Sequence, residues 1–191
     1  MPSNIKLFEV NNAELDKIST LQAPQGILAL VHTPEPSSFK TSDLKNNFTL
    51  VLDGVQDPGN LGTIIRTADW FGFKNIICSL NTVEIYNPKT IQATMGSLCR
   101  VNVFYQDLPE WLGQVEVPIF GALLAGENCY DVNWNKEGLL ILGNEGQGIS
   151  AEVIKFIQQP VTIPRIGSAE SLNVAISAGI FCSEISRILN K

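Results

Sequence analysis

The sequence predicts an α/β fold in which a mainly parallel sheet of six strands is covered by helices on both faces. Six short apolar runs recur from Phe48 onward, and helical segments lie between most of them. Strands that are apolar throughout, and do not alternate, are typical of parallel sheets buried on both faces. With 191 residues, 45% of them hydrophobic, the chain can bury one full core.

The elements of this sheet can be assigned in order along the chain. The predicted strands are Thr49–Leu52, Asn75–Ser79, Arg100–Phe104, Pro118–Leu123, Gly138–Leu142 and Val161–Ile163. The predicted helices are Leu61–Phe71, Pro88–Ser97, Ser150–Ile157 and Ser171–Leu189. The last helix is apolar on most of its sides, so it packs deep in the fold or lies at a subunit interface. The pattern alone favours neither position.

The N-terminal stretch has a different organisation. It predicts a strand over Ile5–Val10, a helix over Asn12–Thr20 and a second strand over Gly26–Val31. About thirty residues cannot cover both faces of even a small sheet, so residues 1–32 are interpreted as the remnant of a domain. Residues 33–47 are polar and proline-rich and predict a linker. Residues 48–191 form the main domain.

Composition excludes several classes of protein. No apolar run approaches the roughly 20 residues that span a bilayer, and residues 1–10 do not have the pattern of a signal peptide. The four cysteines lie far apart and His32 is the one histidine, so neither a zinc site nor a disulfide framework is indicated. We expect a cytoplasmic protein with reduced thiols, no metal and no membrane contact.

The net charge opposes nucleic-acid binding by phosphate contacts. The formal charge is -6 and the isoelectric point is near 4.8. A protein that grips a polyanion through its phosphates normally carries the opposite sign. Any nucleic-acid surface must therefore be a local basic patch, or come from another domain or partner.

The first candidate site residues lie in Leu52–Ala68, which reads LDGVQDPGNLGTIIRTA. A strand runs into a Pro-Gly turn, and a helix starts near Asn60. At about 100° per residue, Arg66 lies about 200° from the buried Ile64 and points away from the core. Arg66 could meet a ligand there, or it could be a surface arginine that pairs with Asp69 in the next turn. Taken alone, the pattern favours the ion pair.

The second segment, Gly138–Ser150, reads GLLILGNEGQGIS. An apolar strand runs into a glycine-rich turn, and a helix capped by its serine follows. Gly143 and the later glycines permit close backbone approach and positive φ angles, at the end of a parallel strand where α/β folds bind ligands. The glycine spacing fits neither a dinucleotide site nor a P-loop. Glu145 is either an acceptor for backbone groups or a functional carboxylate.

The third segment, Val161–Ala175, reads VTIPRIGSAESLNVA. A short strand and a Pro/Gly loop precede a helix with Ser171 and Asn173 in its first turn. Free backbone N–H groups at this position could hold a ligand. Alternatively, Ser168 or Ser171 only caps the last helix.

In this order, the three segments resemble the three motifs of the SpoU/TrmH family of RNA 2′-O-ribose methyltransferases, within the SPOUT superfamily. The resemblance covers residues 48–191 and includes the segments Tyr86–Ile91 and Met95–Ser97. It implies methylation of a ribose 2′-hydroxyl in tRNA or rRNA, with rRNA slightly favoured, and S-adenosylmethionine as the cofactor. It also implies a homodimer, RNA as the partner, and a C-terminal deep trefoil knot, contrary to the general rule against threaded chains.

The resemblance also assigns site residues by motif position. The polar active-site positions fall on Asn60, Arg66, Glu145, Ser171 and Asn173. The cofactor-binding positions fall on Gly143, Ile163 and Leu172, whose backbone would surround the adenosine, and on Ala122 and Gly148. Residues 4–32 resemble the last part of a ribosomal-protein-like RNA-binding domain, so we expect either a fragment of a longer protein or a shortened member of the family.

The implied reaction is in-line attack of a ribose 2′-oxygen on the methyl group of the cofactor. The protein must mainly position the reactants and help to remove the hydroxyl proton. The family proposal makes Arg66 the proton acceptor. Because arginine stays protonated in proteins, a cationic Arg66 could instead orient a phosphate and stabilise the developing alkoxide.

Two other functions stay open. A catalytically inert RNA-binding module of the same fold would suit the acidic charge, although the presence of Arg66 and Asn60 argues against it. A nucleotide-dependent oxidoreductase would use Gly143–Gly148 as its phosphate loop. It would also need an acid on a later strand, and the sequence offers none.

Overall fold

The computed structural model describes residues 5–19, 21, 23–34 and 39–189. The chain divides into two compact units, Met1–Glu35 and Pro36–Lys191. The described residues of the first unit contain one helix, α1 (Asn12–Ile18). Asn11 caps it, because its side chain accepts the N–H of Glu14 at 3.0 Å while the Glu14 carboxylate accepts the N–H of Asn11 at 2.9 Å. The predicted helix is confirmed to Ile18, and its residue 20 lies outside the described ranges.

The two strands predicted for the first unit are wrong. Ile5–Val10 and Gly26–Val31 are irregular, and large apolar side chains such as Phe8 and Leu30 are exposed (78% and 98%). A strand needs a neighbour that satisfies its backbone N–H and C=O groups. The described part of the chain offers no such neighbour to either segment, so an apolar pattern alone does not produce a strand here.

The second unit is built on a six-stranded sheet. Its strands are β1 (Phe48–Asp53), β2 (Asn75–Ser79), β3 (Asn102–Gln106), β4 (Ile119–Asn128), β5 (Gly138–Gly143) and β6 (Gln159–Thr162). Every pairing is parallel, in the order β3-β2-β1-β5-β4-β6. The predicted parallel sheet is therefore confirmed.

The helices of this unit are α2 (Pro58–Phe71), α3 (Pro88–Thr94), α4 (Leu108–Leu112), α5 (Ala151–Ile154) and α6 (Val174–Leu189). Short 3₁₀ helices occupy Thr41–Leu44 and Ser97–Cys99. The five-residue α4 is absent from the sequence prediction. Within the segment predicted as a linker, Leu44 is buried and Phe39 packs beside the core, while residues 35–38 lie outside the described ranges.

Two apolar layers cover the two faces of the sheet. Leu50 and Leu52 of β1 face one layer, to which α2 and α6 contribute. Val51 faces the other layer, to which α4 and α5 contribute. Because alternate β1 side chains enter opposite layers and almost all are fully buried, the strand reads as one continuous apolar run. The predicted cover of helices on both faces is confirmed.

The three motif segments lie at the carboxyl ends of β1, β5 and β6. Asp53, the last residue of β1, lies opposite Gly143, the last residue of β5. The β4–β6 ladder is interrupted between Ala122 and Glu127, where β4 bulges out of the sheet. The segment that follows β6 leads into α6. The loops at this edge therefore have the position at which open parallel sheets bind ligands.

Candidate functional site

The glycine-rich turn after β5 is tied to the end of β1. The Asp53 carboxylate accepts the N–H of Ser150 at 2.7 Å. The Asn144 amide donates to the Gly54 carbonyl at 2.7 Å. Neither Asp53 nor Asn144 was among the predicted site residues. An Asn that opens a glycine-rich turn was the available signal, since Asn commonly bonds the backbone of its own turn.

The turn itself is compact. Asn144 and Gly148 exchange both backbone hydrogen bonds, at 2.9 and 3.0 Å, and Gly148 has a φ of 72°. The Asn144 side chain accepts the N–H groups of Gly146 and Gln147. A Cβ atom at Gly143 would overlap the backbone of Gly148 and Ile149. The close return of the chain therefore requires glycine at position 143.

A chain of three polar side chains joins the three motif segments. The Asn60 amide nitrogen donates to Glu145 Oε1 at 2.8 Å, and the Asn173 amide nitrogen donates to Asn60 Oδ1 at 2.9 Å. Glu145 also accepts longer hydrogen bonds from the N–H groups of Gln56 and Asp57, at 3.5 and 3.4 Å. Both ends of the Asn60 amide are engaged, so its orientation is fixed. Three of the five predicted polar residues are in direct contact.

The ends of the neighbouring helices hold these side chains in place. Asp57 caps α2 by accepting the N–H of Asn60 at 2.8 Å, and the proline that follows fits the first turn. Asn173 caps α6, because its Oδ1 accepts the N–H groups of Ala175 and Ile176 at 2.9 and 3.3 Å. The alternative in which Ser168 or Ser171 caps α6 is therefore wrong.

The predicted cap of α5 is confirmed only in position. Ser150 precedes α5, but its side chain makes no capping hydrogen bond. Its N–H is the group that donates to Asp53, so the residue joins the turn to β1.

A cavity of about 760 Å³ opens between the loops that follow β4, β5 and β6. Its lining includes all five predicted cofactor residues, Ala122, Gly143, Gly148, Ile163 and Leu172, together with Glu145 and Ser171. This volume lies within the roughly 300–1,000 Å³ typical of small-molecule sites. The lining combines apolar side chains with backbone groups of two loops, as expected for a pocket that holds a nucleoside.

Arg66 lies apart from the cavity. It is exposed on the outer face of α2, six residues after Asn60. At about 100° per residue, these two side chains leave the helix about 120° apart. Arg66 makes no hydrogen bond or ion pair with any residue that the structure describes, and it does not line the cavity.

The predicted alternative, an ion pair between Arg66 and Asp69, is wrong. Asp69 Oδ2 instead accepts from Arg100, with Nε at 2.8 Å and Nη2 at 2.7 Å, and from the Ser97 hydroxyl at 2.7 Å. The Arg100 guanidinium, helped by Ser97, holds the pKa of the Asp69 carboxyl below its usual value. Asp69 thus pairs with Arg100, which is farther away in the sequence than Arg66. The charge of Arg66 therefore stays available to a ligand.

The described ranges also lack a metal-binding cluster and a membrane-spanning helix. They contain no group of three or more His, Cys, Asp or Glu side chains placed to hold a metal ion. None of their helices is long and apolar enough to cross a membrane.

The family model described as "SpoU rRNA Methylase family" matches residues 47–183. The chain belongs to the SpoU family. Among SpoU relatives, it is 32% identical to the 23S rRNA (guanosine(2553)-2'-O)-methyltransferase RlmP of Bacillus subtilis, over 94% of this chain and 72% of that protein. The predicted membership of the SpoU/TrmH family is confirmed.

Solved structures of SpoU and TrmH proteins share the fold. An AdoMet-bound rRNA methyltransferase from Sinorhizobium meliloti superposes with a TM-score of 0.78 at 32% identity, covering 94% of this chain and 70% of that one. A TrmH-family protein from Porphyromonas gingivalis gives a TM-score of 0.75 at 38% identity, covering 98% and 73%. The SpoU chain described here therefore shares both fold and sequence with methyltransferases of this family.

Proposed function

We propose that this SpoU-family chain transfers a methyl group from S-adenosylmethionine to a ribose 2′-hydroxyl of ribosomal RNA. One observation carries the proposal: the motif segments Gly138–Ser150 and Val161–Ala175 line one cavity, and the first segment is joined to them beside it by the hydrogen bonds among Asn60, Glu145 and Asn173. The relative RlmP is named as a 23S rRNA 2'-O-methyltransferase, which supports the same reaction.

The cavity suits S-adenosylmethionine in shape and charge. Ala122, Ile163 and Leu172 offer apolar surface to a purine ring, and the tight turn at Gly143 exposes backbone at the cavity wall. The carboxylates of Glu145 and Glu170 also line the cavity. They complement a ligand that carries a sulfonium and an ammonium group. When bound, the cofactor supplies an electrophilic methyl group with a good leaving group.

The polar chain would position the reactants. Glu145 accepts from the Asn60 amide nitrogen, and Asn173 donates to the Asn60 amide oxygen. The Asn60 side chain would therefore be oriented before RNA binds. Ser171 is exposed at the cavity wall, and its hydroxyl makes no hydrogen bond within the described ranges. It is therefore free to bond a ligand. Such preset groups lower the cost of orientation.

Arg66 would act on the RNA side of the reaction as a cation. It can bind a phosphate next to the target ribose and stabilise the negative charge that develops on the 2′-oxygen. Arg66 leaves α2 about 120° away from Asn60 and does not line the cavity of its own chain, so we propose that it serves the cavity of a second copy. The outward side of α6 supports a homodimer, because the apolar Ile176 is half exposed there (55%).

The central test is Arg66→Ala. Because this change removes only charge stabilisation and RNA positioning, we expect methyl transfer to fall about 100-fold or more. Affinity for S-adenosylmethionine, measured by calorimetry, should stay within about twofold. Lys74→Ala is the matched control, since it removes an exposed cation at the end of the loop after α2. Unchanged turnover in Arg66→Ala would refute the role of Arg66.

Mixing two inactive variants tests the second-copy arrangement. Arg66→Ala and Glu145→Gln chains should each be inactive alone. If Arg66 serves the partner's cavity, a mixed dimer contains one intact site, so an equimolar mixture should recover about a quarter of wild-type activity. A mixture that stays inactive would contradict the second-copy arrangement, even if both residues are essential.

Calorimetry also separates the enzyme from the inert RNA-binding module. S-adenosylmethionine binding that is absent or only millimolar would favour the module. Mass spectrometry of ribosomal RNA nucleosides, from cells with and without the protein, would then identify the substrate. Loss of one 2′-O-methyl mark is the expected result, and a lost mark in tRNA would correct the substrate class.

Three further expectations belong to the same proposal. The C-terminal chain forms a trefoil knot around the cavity loops, and the protein acts in the cytoplasm. Residues 1–32 are the remnant of an RNA-binding domain, which suits the exposed apolar side chains in this stretch, among them Phe8 and Leu30.

A further inference from the structure

Trp70 is the exposed member of the three tryptophans of this chain. Its relative exposure is 83%, whereas Trp111 and Trp134 are 8% and 3% exposed. The two buried indoles pack against aromatic rings of the core, for example Trp111 on Phe39 and Trp134 on Phe120. Trp70 makes no ring contact within the described ranges. Tryptophan is enriched at binding interfaces, because its ring offers a large apolar surface together with a polar N–H.

Trp70 shares its helix face with Arg66. The two residues are four positions apart on α2, so their side chains are neighbours one turn apart. Thr63 lies on the same exposed stripe. The acid of this helix, Asp69, is held by Arg100 and Ser97. The face therefore presents an indole, a free guanidinium and a hydroxyl, with no free carboxylate from α2.

This combination suits single-stranded RNA. Unpaired bases stack on aromatic side chains irrespective of sequence, and a guanidinium can bind the adjoining phosphate. Stacking adds binding free energy without positive charge. That matters in a chain with a formal charge of -6, which cannot depend on many phosphate contacts.

We propose that the outer face of α2, formed by Thr63, Arg66 and Trp70, binds the single-stranded RNA that flanks the target nucleotide, with Trp70 stacked on one of its bases. The proposal rests on the RNA methyltransferase function proposed above. The rise from Arg66 to Trp70 is about 6 Å, which corresponds to about two stacked nucleotides at about 3.4 Å each. A phosphate on Arg66 would therefore place the stacked base within about two nucleotides of the methylated ribose.

Arg66 can reach the cavity of a second copy from this face, but the face as a whole is less suited to form the contact between subunits. Trp70 is a single apolar side chain beside Arg66 and Thr63, whereas stable subunit interfaces bury contiguous apolar surface. The outward side of α6, with the half-exposed Ile176 and the partly buried Ile180, has that apolar character. The two faces thus differ in the kind of partner that they can hold.

The test measures binding of a single-stranded RNA of about 12 nucleotides to the full chain, without S-adenosylmethionine. We expect quenching of the fluorescence of the exposed indole. Trp70→Ala should weaken affinity about 5- to 150-fold, and Trp70→Phe should recover most of the loss. Tyr130→Ala, which removes another exposed aromatic side chain (51%), is the matched control and should bind like wild type. The salt dependence should correspond to one or two phosphates, at a slope of about −0.7 for each.

Several outcomes would overturn the proposal. Affinity within about twofold of wild type in Trp70→Ala excludes a stacking contribution. Equal losses in the Phe and Ala variants exclude stacking as the mechanism. A lower native mass of Trp70→Ala in light scattering, together with weaker binding, assigns the face to a second copy. Because the assay involves no methyl transfer, failure of the proposed catalytic function would leave this result interpretable, and the reverse holds as well.

Discussion

Asn173 performs two tasks through opposite ends of one amide. Its oxygen caps α6 and its nitrogen holds Asn60, which in turn binds Glu145. A side chain with either function alone could be replaced by many others. Both together require an acceptor close to the backbone and a donor that reaches across to α2, which restricts the position to an amide of this length.

Substitution of Asn173 can separate these two tasks. Ser is a good capping residue but is too short to reach Asn60. The free energy of unfolding of Asn173→Ser should therefore lie within about 0.5 kcal/mol of the wild-type value, while methyl transfer falls. Asn173→Ala should lose about 1 kcal/mol of stability as well. Urea unfolding and a methyl-transfer assay check the pair. Full activity in the Ser variant would show that the bond to Asn60 is dispensable.

Thr49 offers a test of burial at the centre of the sheet. Its hydroxyl is fully buried and has no hydrogen-bond partner in the described structure. Thr49→Val replaces it with a methyl group of similar size and should raise the free energy of unfolding by about 1 kcal/mol. Thr82→Val is the matched opposite case, since that hydroxyl bonds the Leu52 carbonyl at 3.2 Å and the Ser79 hydroxyl at 2.9 Å. Thr82→Val should lower the free energy of unfolding by about 1–2 kcal/mol. Equal effects in urea unfolding would contradict this assignment.

At the scale of elements, three different faces of α2 carry residues with three different tasks. Its inner face packs on the sheet through residues such as Ile64, Ile65 and Ala68. Its first turn directs Asn60 toward Glu145 and α6, and its outer face carries Arg66. One helix can thus pack on the sheet, hold Asn60 against Glu145 and present Arg66 outward, because side chains leave it in different directions.

The ion pair beside this helix predicts a dependence of stability on pH. The pKa of Asp69 is lowered in the folded protein by Arg100 and Ser97, below its ordinary value of 3.8. A lowered carboxyl pKa stabilises the folded protein at pH values above the ordinary pKa. This contribution is lost as the pH falls through the lower pKa of the folded state. The free energy of unfolding of Asp69→Asn should therefore fall less steeply than that of wild type below about pH 4. Parallel curves from pH 6 to pH 3 would refute this.

Elements with local patterns were predictable from sequence, and those with distant partners were not. β1, β2 and β5 lie within about one residue of their predicted bounds, since each is an apolar run with a turn at its end. The strands predicted in residues 5–10 and 26–31 failed because the described chain supplies no neighbouring strand. α4 was missed because five residues are too few to show a helical period.

The same division applies to the site. Of the ten residues that the resemblance assigned, seven line the cavity, whereas Asn60, Arg66 and Asn173 do not. The contact of Asp69 with Arg100 spans 31 residues, so a reading of one helix selects the wrong cation. The ties from Asp53 to Ser150 and from Gly54 to Asn144 were invisible for the same reason.

At the scale of the whole molecule, burial controls the chemistry of the thiols. Burial raises the pKa of Cys182 to about 12 and raises the pKa of Cys78 still further, while Cys129 is also buried. Cys99 is exposed. Since the thiolate is the reactive form, we expect one thiol per native chain to react rapidly with a disulfide reagent at pH 8, and four after unfolding. Cys99→Ser should remove the rapid phase, and a second rapid thiol would show that the core opens readily.

The hydrogen bond between Asn173 and Asn60 joins residues that are 113 positions apart. During synthesis, β1 and the first turn of α2 emerge long before their amide partner exists. A nascent or truncated chain that ends before α6 can contain every strand of the sheet and still lack the group that aligns Asn60. Under the proposed function, catalytic competence would be acquired late, when the final helix docks, so an incompletely made polypeptide would not modify RNA prematurely.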